Sequence, residues 1–422
     1  MPHPIVEALE TGGQPAVKGL IRLLIDRFEN QTCLLAVCPN SKAVTQAALL
    51  AARDANAPLL FTSTLNQVDR DGGYTGWTHA GLVAFIEEEA DRLGADTPIL
   101  PCLDHGGPWL KDKHATEGYA FEETMAAVKR SLESCIEAGY ALLHIDPTVD
   151  RRVPEGEPIP IDWVVERTLE LIEHAETHRK ARGAPPISYE VGTEEVHGGL
   201  ANMDAFERFL DGLDAGLRER GLEAAWPCFV VGKVGTDLDT SYFEPDVARR
   251  LTERTRPYGA LIKGHYTDYV DNPEDYPLSG MGGANVGPEY TEEEYEALMD
   301  LVDLERKIGA DSGLREALRE AVVDSGRWTK WLHEEEEGAA FGDLDEERRQ
   351  WLVRTGSRYV WTKPSVQEAR RRLYDNLEGH RDAEAFVLWR IKASIMKYYH
   401  AFNLIDFNTK LENVLSTEAP TA

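Results

Sequence analysis

Histidine and carboxylate side chains follow several short apolar runs of this sequence, among them His105, Glu194, Asp237 and His265. Two imidazole nitrogens with one or two carboxylate oxygens make a ligand set that suits Zn²⁺ or Mn²⁺ in a catalytic role. We therefore predict a divalent metal site open to solvent, with His105, Glu194 and His265 as ligands and Asp237 as the fourth. The expected ion is Zn²⁺, with Mn²⁺ as the alternative.

Each of these residues also has an ordinary structural explanation. A single histidine after a strand often serves only to hydrogen-bond the backbone, and Asp104 has the side chain of a helix cap. The pair Gly106 and Gly107 is typical of a tight turn, and Glu194 beside Glu195 is typical of a solvated surface. The metal prediction therefore depends on whether the fold brings these side chains to one place.

Eight short apolar runs alternate with longer amphipathic segments between residues 31 and 308. Buried parallel strands have continuous apolar runs because both of their faces are covered. Eight strand–helix units predict an α/β fold, the (β/α)₈ TIM barrel, for which about 250 residues is typical; a doubly wound sheet usually has fewer strands. The runs are 32-TCLLAVC-38, 58-PLLFTS-63, 98-PILPCL-103, 140-YALLHI-145, 186-PISYEVG-192, 227-PCFVVGKV-234, 258-YGALIKG-264 and 281-MGGANVG-287.

The strand pattern stops after about residue 310 and helical patterns replace it, in 313–338, 365–379 and 384–402. Apolar residues recur there at three- and four-residue steps, as on one face of a helix. We predict two parts. Residues 1–310 form the barrel with an N-terminal lead-in, and residues 311–422 form a helical extension packed on the barrel.

Unusual polar and glycine residues collect after the predicted strands, where TIM barrels carry their active sites. The long segment 64-TLNQVDRDGGYTGWT-78 follows the second run, and 144-HIDPT-148 ends the fourth. Gly283 and Gly287, with Lys263 nearby in sequence, fall where such barrels commonly bind phosphate. The same glycines are equally explained by relief of crowding in the barrel wall.

The charge balance limits the partners. The chain has 74 acidic and 45 basic side chains, for a net charge of −29. Such a field repels nucleic acid and anionic membranes, so we predict neither as a partner. A phosphorylated ligand needs local basic groups or helix N-termini to oppose this field. The N-terminal sequence lacks the features of a signal peptide, and no run is long enough to span a bilayer, which predicts a cytoplasmic protein.

Distinctive short motifs lie along the chain, and 66-NQVDRDGGYTG-76 is the most specific of them. The others are 103-LDHGGP-108, 144-HID-146, 192-GTE-194 with Gly198 and Gly199, 265-HYTDY-269, 286-VGP-288, 328-WTKW-331 and 358-RYVW-361. Together they resemble the family named for the non-catalytic subunit of class II D-tagatose-1,6-bisphosphate aldolase. The resemblance spans roughly residues 30 to 375.

The resemblance implies a barrel like that of the zinc-dependent class II aldolases, with His105, Glu194 and His265 on metal-ligand positions. It also implies that Asp104 is the acid/base residue. Some members accompany a catalytic aldolase subunit as stabilising partners, and others are similar to epimerases that invert C4 of ketohexoses or their 6-phosphates. The implied substrate is a ketohexose or ketohexose phosphate, and the implied assembly is a homo-oligomer or a complex with an aldolase.

The chemistry implied for such a site is cleavage of the C3–C4 bond of a ketose. A divalent metal polarises the C2 carbonyl while Asp104 removes the C4 hydroxyl proton, which leaves an enediolate and an aldehyde. Release of the fragments is an aldolase reaction, and attack on the other face of the aldehyde gives the C4 epimer. Asp146 and Asp268 are further predicted catalytic residues. The predicted substrate contacts are Asn66, Gln67, Tyr74, His144, Lys263, Tyr269 and Gly283.

The chain departs from the family pattern at two places. Thr62 stands where the family usually has an acidic residue, and 233-KVGTDLD-239 lacks the usual Pro-Gly and the Glu and His that follow it. The missing histidine favours the alternative function, a non-catalytic partner subunit that stabilises a class II tagatose-bisphosphate aldolase. A kinase is disfavoured because the chain has no GxxxxGK[ST] loop.

Overall fold

Each of the eight apolar runs contains a β-strand. The strands are β1 (Leu34–Val37), β2 (Leu59–Thr64), β3 (Ile99–Gly106), β4 (Leu142–Ile145), β5 (Ser188–Gly192), β6 (Phe229–Val231), β7 (Leu261–Gly264) and β8 (Gly283–Val286). They are parallel and pair in sequence order, and β8 pairs with β1, which closes the sheet. The computed structural model describes residues 3–154, 157, 159–192, 202–236 and 241–418. It confirms a TIM barrel followed by C-terminal helices.

Helices cover the outside of the barrel and form the C-terminal extension. In the described residues the α-helices are α1 (Pro4–Leu9), α2 (Ala16–Arg27), α3 (Lys42–Ala55), α4 (His79–Leu93), α5 (Asp112–Thr116), α6 (Phe121–Glu137), α7 (Ile161–Arg182), α8 (Met203–Glu219), α9 (Pro245–Thr255), α10 (Asp275–Leu278), α11 (Pro288–Lys307), α12 (Leu314–Ser325), α13 (Glu346–Gly356), α14 (Pro364–Asn376), α15 (Ala383–Ala401) and α16 (Phe407–Glu418). Short 3₁₀ helices span Glu223–Ala225, Arg256–Tyr258, Arg327–Trp331, Glu334–Glu336, Phe341–Asp343 and Ser357–Tyr359. None of the described helices combines the length and apolar character needed to cross a bilayer.

Local sequence sets the ends of the barrel helices. Ser41 and Thr78 cap α3 and α4, because each hydroxyl oxygen accepts a hydrogen bond from a backbone N–H of the first turn. Asn56 and Gly94 end the same two helices in the left-handed conformation, which glycine and asparagine adopt more readily than other residues. These ends fix where each helix returns its chain to the next strand.

The extension differs from its predicted pattern at residues 313–338. The pattern predicts one helix there, whereas α12 ends at Ser325 and Gly326 takes φ 65°. A left-handed glycine terminates a helix, and Arg327–Trp331 continues as a 3₁₀ helix. This turn places Arg327 on the cavity at the mouth of the barrel.

Hydrogen bonds join the extension to the carboxyl end of the barrel. Helix α15 packs against α3 and α11. Its Tyr398 hydroxyl donates to the backbone carbonyl of Thr267, beyond β7, at 2.9 Å, and its Ser394 hydroxyl donates to the Glu289 carboxylate at 2.6 Å. These hydrogen bonds join residues on both sides of residue 310. The division of the chain into two parts at that residue stays a prediction.

Strand β3 is irregular at its carboxyl end. Its register against β4 shifts between Leu103 and Gly106, and His105 takes φ 50°, which is uncommon for residues other than glycine. Successive side chains of a regular strand point to opposite faces. Because of the irregularity, both Asp104 and His105 line the same cavity.

Gly106 and Gly107 allow β3 to pass close to β4. A Cβ atom at Gly106 would lie 2.8 Å from the carbonyl oxygen of His144, and one at Gly107 would lie 1.7 Å from that of Asp146. No side chain fits in such a space, so this approach of two backbones requires glycine. The two glycines therefore serve a close approach of neighbouring parallel strands rather than the tight turn considered from the sequence.

We predict that Gly107→Ala destabilises the protein by about 3 kcal/mol or more, since the added methyl group overlaps backbone that cannot move independently. Chemical denaturation followed by circular dichroism measures the change. Gly342→Ala is the matched control, because nothing lies within 4 Å of its added Cβ atom. Equal stability of the two variants would contradict the close approach.

Candidate active site

Three imidazoles and one carboxylate meet at the carboxyl end of the barrel. Asp104 and His105 come from β3, His144 from β4, and His265 from the end of β7. Each offers one ligand atom, and these four atoms all lie within 4.8 Å of one another. Two of the predicted metal ligands, His105 and His265, are among these four residues.

Two of the histidines are each oriented by a buried carboxylate. His105 Nδ1 lies 2.5 Å from Asp146 Oδ2, and His265 Nε2 lies 3.1 Å from Glu190 Oε1. The remaining ring nitrogens, His105 Nε2 and His265 Nδ1, face each other at 3.0 Å. A carboxylate behind each ring is the usual arrangement for metal-binding histidines, because it fixes the tautomer and the ring orientation.

His144 completes the cluster from below. Its Nδ1 accepts a hydrogen bond from the backbone N–H of His105 at 3.1 Å and lies 3.3 Å from Asp104 Oδ1. Its Nε2 is buried without a hydrogen-bond partner among the described residues, which is costly for a polar atom. Imidazole nitrogens together with a carboxylate are the donors that Zn²⁺ takes in proteins, so these residues fit a divalent metal.

The electrostatics of the cluster depend on pairs of opposite charge. Burial alone would raise the pKa of Asp104, but the charges of His105 and His265 hold it well below its usual range. Burial alone would lower the pKa of His105, but Asp104 and Asp146 raise it to about 9. These shifts are mutual: each charge is stable in the interior because the others surround it.

Glu190 was not predicted from the sequence, although it lies at the centre of the site. It is a fully buried residue of β5, and Lys263 donates to its Oε2 at 2.7 Å. Burial opposes its ionisation, yet Lys263 and the histidines lower the pKa of Glu190 to about 2. The available signal was an acidic residue inside the apolar run 186-PISYEVG-192.

Two of the predicted substrate contacts, Lys263 and Gly283, pack inside the barrel, and contact with a substrate stays a prediction for both. Lys263 is 1% exposed and its ammonium group is used by Glu190 beneath the histidines. A Cβ atom at Gly283 would lie 3.1 Å from the ring of Phe229. Gly283 therefore makes room for a side chain that fills the barrel, and the crowding explanation is the correct one for this glycine.

A cavity of about 230 Å³ opens above the cluster. Its floor is formed by the ends of the strands and its roof by the extension. The predicted site residues that line it are Asn66, Gln67, Tyr74, Asp104, His105, His265 and Asp268. The extension contributes Arg327, Lys330, Trp331, Arg358 and Tyr359. No role at the site was predicted for these roof residues, although four of them belong to the motifs 328-WTKW-331 and 358-RYVW-361.

Three other predicted residues lie behind or beside the cavity. His144 is fully buried in the cluster and Asp146 lies behind His105, so neither lines the cavity. Tyr269 is half-exposed, and its hydroxyl donates to Glu292 at 3.0 Å. His144 and Tyr269 therefore do not line the cavity, and their contact with a substrate stays a prediction. The predicted metal ligands Glu194 and Asp237 lie outside the described residues and stay predictions.

The loop after β2 is held by side-chain amides. Asn66 bridges to the next loop, because its Nδ2 donates to the carbonyl of Leu110 at 3.0 Å and its Oδ1 accepts from the N–H of Asp112 at 2.9 Å. Gln67 Nε2 and the Tyr74 hydroxyl both donate to Asn40 Oδ1, at 2.5 and 2.7 Å. These side chains line the cavity while they hold its wall.

Asp268 joins β7 to the helix that follows β8. Its Oδ1 accepts hydrogen bonds from the N–H groups of Gly287 and Glu289, at 2.9 and 2.8 Å, where α11 begins. Burial, together with the charge of Glu289, raises the pKa of Asp268 to about 7. It is therefore a carboxyl group on the cavity that titrates near neutral pH.

Comparison with known proteins agrees with this fold. Residues 23–400 match the family model described as D-tagatose-1,6-bisphosphate aldolase subunit GatZ/KbaZ-like. A probable tagatose 6-phosphate kinase from Sinorhizobium meliloti is 23% identical with a TM-score of 0.70, over 87% of this chain and 100% of that one. Fructose-bisphosphate aldolase from Campylobacter jejuni is 8% identical with a TM-score of 0.50, over 92% of this chain and 94% of that one. At these identities the two structures show a shared fold.

We predict that Asp268 makes the folded protein less stable as the pH rises from about 4 to about 7. Its folded pKa of about 7 lies above the ordinary value of 3.8, so its stabilisation is full below the lower value and is lost by the upper one. Asp268→Asn keeps a hydrogen-bond acceptor but does not titrate. The unfolding free energy of the wild type minus that of the variant should fall over this range; a flat or rising difference would contradict the shift.

Proposed function

We propose that this chain, which belongs to the D-tagatose-1,6-bisphosphate aldolase subunit GatZ/KbaZ-like family, is itself a metal-dependent enzyme of the class II aldolase type. Its reaction is retro-aldol cleavage of the C3–C4 bond of a ketohexose or ketohexose phosphate. The products leave in an aldolase reaction such as cleavage of tagatose bisphosphate. They recombine in C4 epimerisation, as between fructose and tagatose.

One observation carries this proposal: two histidines, each backed by a carboxylate, face each other beside Asp104 on an open cavity. Holding so many ionisable groups away from water costs free energy. Such clusters are concentrated at functional sites, because chemistry needs perturbed and oriented groups. A subunit that only stabilises a partner does not need such a cluster of buried ionisable groups.

The metal would be held by His105 and His265, with His144 beside them and Glu194 and Asp237 as further proposed ligands. When bound, a divalent cation supplies Lewis acidity and positive charge next to the substrate carbonyl. Zn²⁺ is the proposed ion because imidazoles dominate the described donor set. Asp146 and Glu190 orient the two histidine rings through the hydrogen bonds described above.

Asp104 is the proposed proton acceptor. Its carboxylate lies at the floor of the cavity, where Asn285 Nδ2 donates to it at 3.3 Å. It takes the proton of the C4 hydroxyl as the C3–C4 bond breaks, and returns it when the bond forms again. Asp268, whose pKa is about 7, lines the same cavity and is suited to exchange a proton with a substrate oxygen at neutral pH.

The second candidate function is a stabilising partner of a catalytic aldolase. The family description names an aldolase subunit, and large aromatic side chains lie on the surface. Trp389 on α15 is 60% exposed, and Tyr242 is 52% exposed. Exposed aromatic residues are frequent at protein interfaces. A homo-oligomer would use such residues equally well.

We predict that the Zn²⁺-loaded protein interconverts fructose and tagatose, or their 6-phosphates, in NMR spectra, and that Asp104→Asn lowers the rate by about 10²- to 10⁴-fold. Asp343→Asn, a change of an exposed residue far along the extension, is the matched control. Triose products instead of the epimer would identify an aldolase. No conversion of these sugars or of tagatose bisphosphate by the loaded wild type would refute catalysis and favour the partner subunit.

A further inference from the structure

The cavity changes its charge from floor to roof. The floor carries Asp104 and Asp268, whereas the roof carries Arg327, Lys330 and Arg358. In a chain of net charge −29, three cationic side chains on one wall are a local reversal of the overall field. Such a reversal is what an anionic ligand needs in order to approach and bind.

Arg358 forms no close ion pair in the described part of the chain, and the acidic charges that act on it, those of Glu292 and Asp268, do so from a distance. Its side chain is only 6% exposed, and its guanidinium lies over the rings of Trp331 and Tyr359, at 4.6 and 5.1 Å from their centroids. A guanidinium is always charged, and a buried charge without a counter-charge is expensive. Aromatic faces offset only part of that cost.

Arg327 and Lys330 share one carboxylate. Both contact Asp112, Arg327 Nη2 at 3.0 Å from its Oδ2, so two positive charges meet a single negative one. Arg327 Nη1 is buried without a hydrogen-bond partner among the described residues. Its guanidinium lies 4.8 Å from the ring centroid of Tyr359, the same ring that Arg358 contacts.

A neutral donor faces the same cavity from the barrel side. Asn40 lines it, and Asn40 Nδ2 is buried without a partner in the described residues. Its Oδ1 is fixed by Gln67 and Tyr74, so the amide cannot turn to satisfy its nitrogen elsewhere. Unpaired donors on Asn40 and Arg327, with the unpaired charge of Arg358, all border one space.

The usual phosphate site of a TIM barrel is already used in this protein. That site lies in the loops after the last two strands, at a helix N-terminus. Here the N–H groups of Gly287 and Glu289 at the start of α11 donate to Asp268. A phosphate would have to displace this internal carboxylate, whereas in the roof Arg358 forms no close ion pair and Arg327 and Lys330 share one carboxylate.

We propose that the extension forms an anion subsite, in which Arg358, Arg327, Lys330 and Asn40 bind the phosphate group of a phosphorylated ketose. Its identification with a substrate rests on the proposed function, since the reacting carbons would lie over the histidines. A guanidinium fork matches phosphate oxygens in a bidentate manner. The subsite makes a sugar phosphate, rather than a free ketose, the preferred ligand.

Isothermal titration calorimetry of the metal-free full-length protein tests this without turnover. The probes are fructose 6-phosphate, free fructose and inorganic phosphate. We expect fructose 6-phosphate to bind at least about 10-fold more tightly than fructose, and inorganic phosphate to compete with it. Arg358→Gln and Arg327→Gln should each weaken binding of the two phosphates by about 10- to 100-fold and leave fructose binding unchanged.

Arg319→Gln is the control, because Arg319 is an exposed arginine of α12 that pairs with Glu316. Thermal unfolding checks that each variant is folded. If Arg358→Gln does not fold, the test uses Arg327→Gln and the wild-type affinities for fructose and fructose 6-phosphate. Equal affinity of the wild type for fructose and its 6-phosphate, or folded variants with unchanged phosphate binding, would overturn the subsite. If phosphate binds as expected but the Zn²⁺-loaded protein converts no sugar, the subsite is supported and the proposed enzyme is refuted. If the loaded protein converts sugars but the folded variants bind phosphate as the wild type does, the enzyme is supported and the subsite is refuted.

Discussion

The site depends on the hydrogen bond between His105 and Asp146, and on the irregular strand end that makes it possible. A regular β3 would turn Asp104 and His105 to opposite faces. The register shift and the left-handed His105 bring both to the cavity, and Gly106 and Gly107 let the strand lie against β4 while this happens. Asp146 Oδ2 then lies 2.5 Å from His105 Nδ1. Without this close approach of β3 to β4, Asp104 and His105 would not both face the cavity.

Beneath the histidines, the barrel interior is organised around a second buried charge pair. Lys263 and Glu190 are almost fully buried and bind each other at 2.7 Å, and Glu190 also orients His265. Breaking such a pair leaves an uncompensated charge, which costs about 3–5 kcal/mol. The same carboxylate thus supports the fold and directs a candidate ligand. This pairing explains why the ammonium group of Lys263 does not reach the cavity.

Sequence patterns predicted the barrel because buried parallel strands leave continuous apolar runs, and each run did contain a strand. They also located Asp104, His105 and His265, since strand ends mark the active face. They missed Glu190, because an acidic residue in an apolar run has no periodicity to report its partners. They missed Arg327, because helical spacing continued through Gly326, whose left-handed backbone ends α12. Contacts between distant segments, such as Arg358 over Trp331, leave no local signal.

The most direct test of the account is diffraction from crystals soaked in Zn²⁺, measured above and below the zinc absorption edge. We expect an anomalous peak at about 2.0–2.1 Å from both His105 Nε2 and His265 Nδ1, the usual zinc–nitrogen distance. A map with no peak between these two nitrogens, or with peaks only at surface carboxylates, would contradict a metal centre and with it the proposed chemistry.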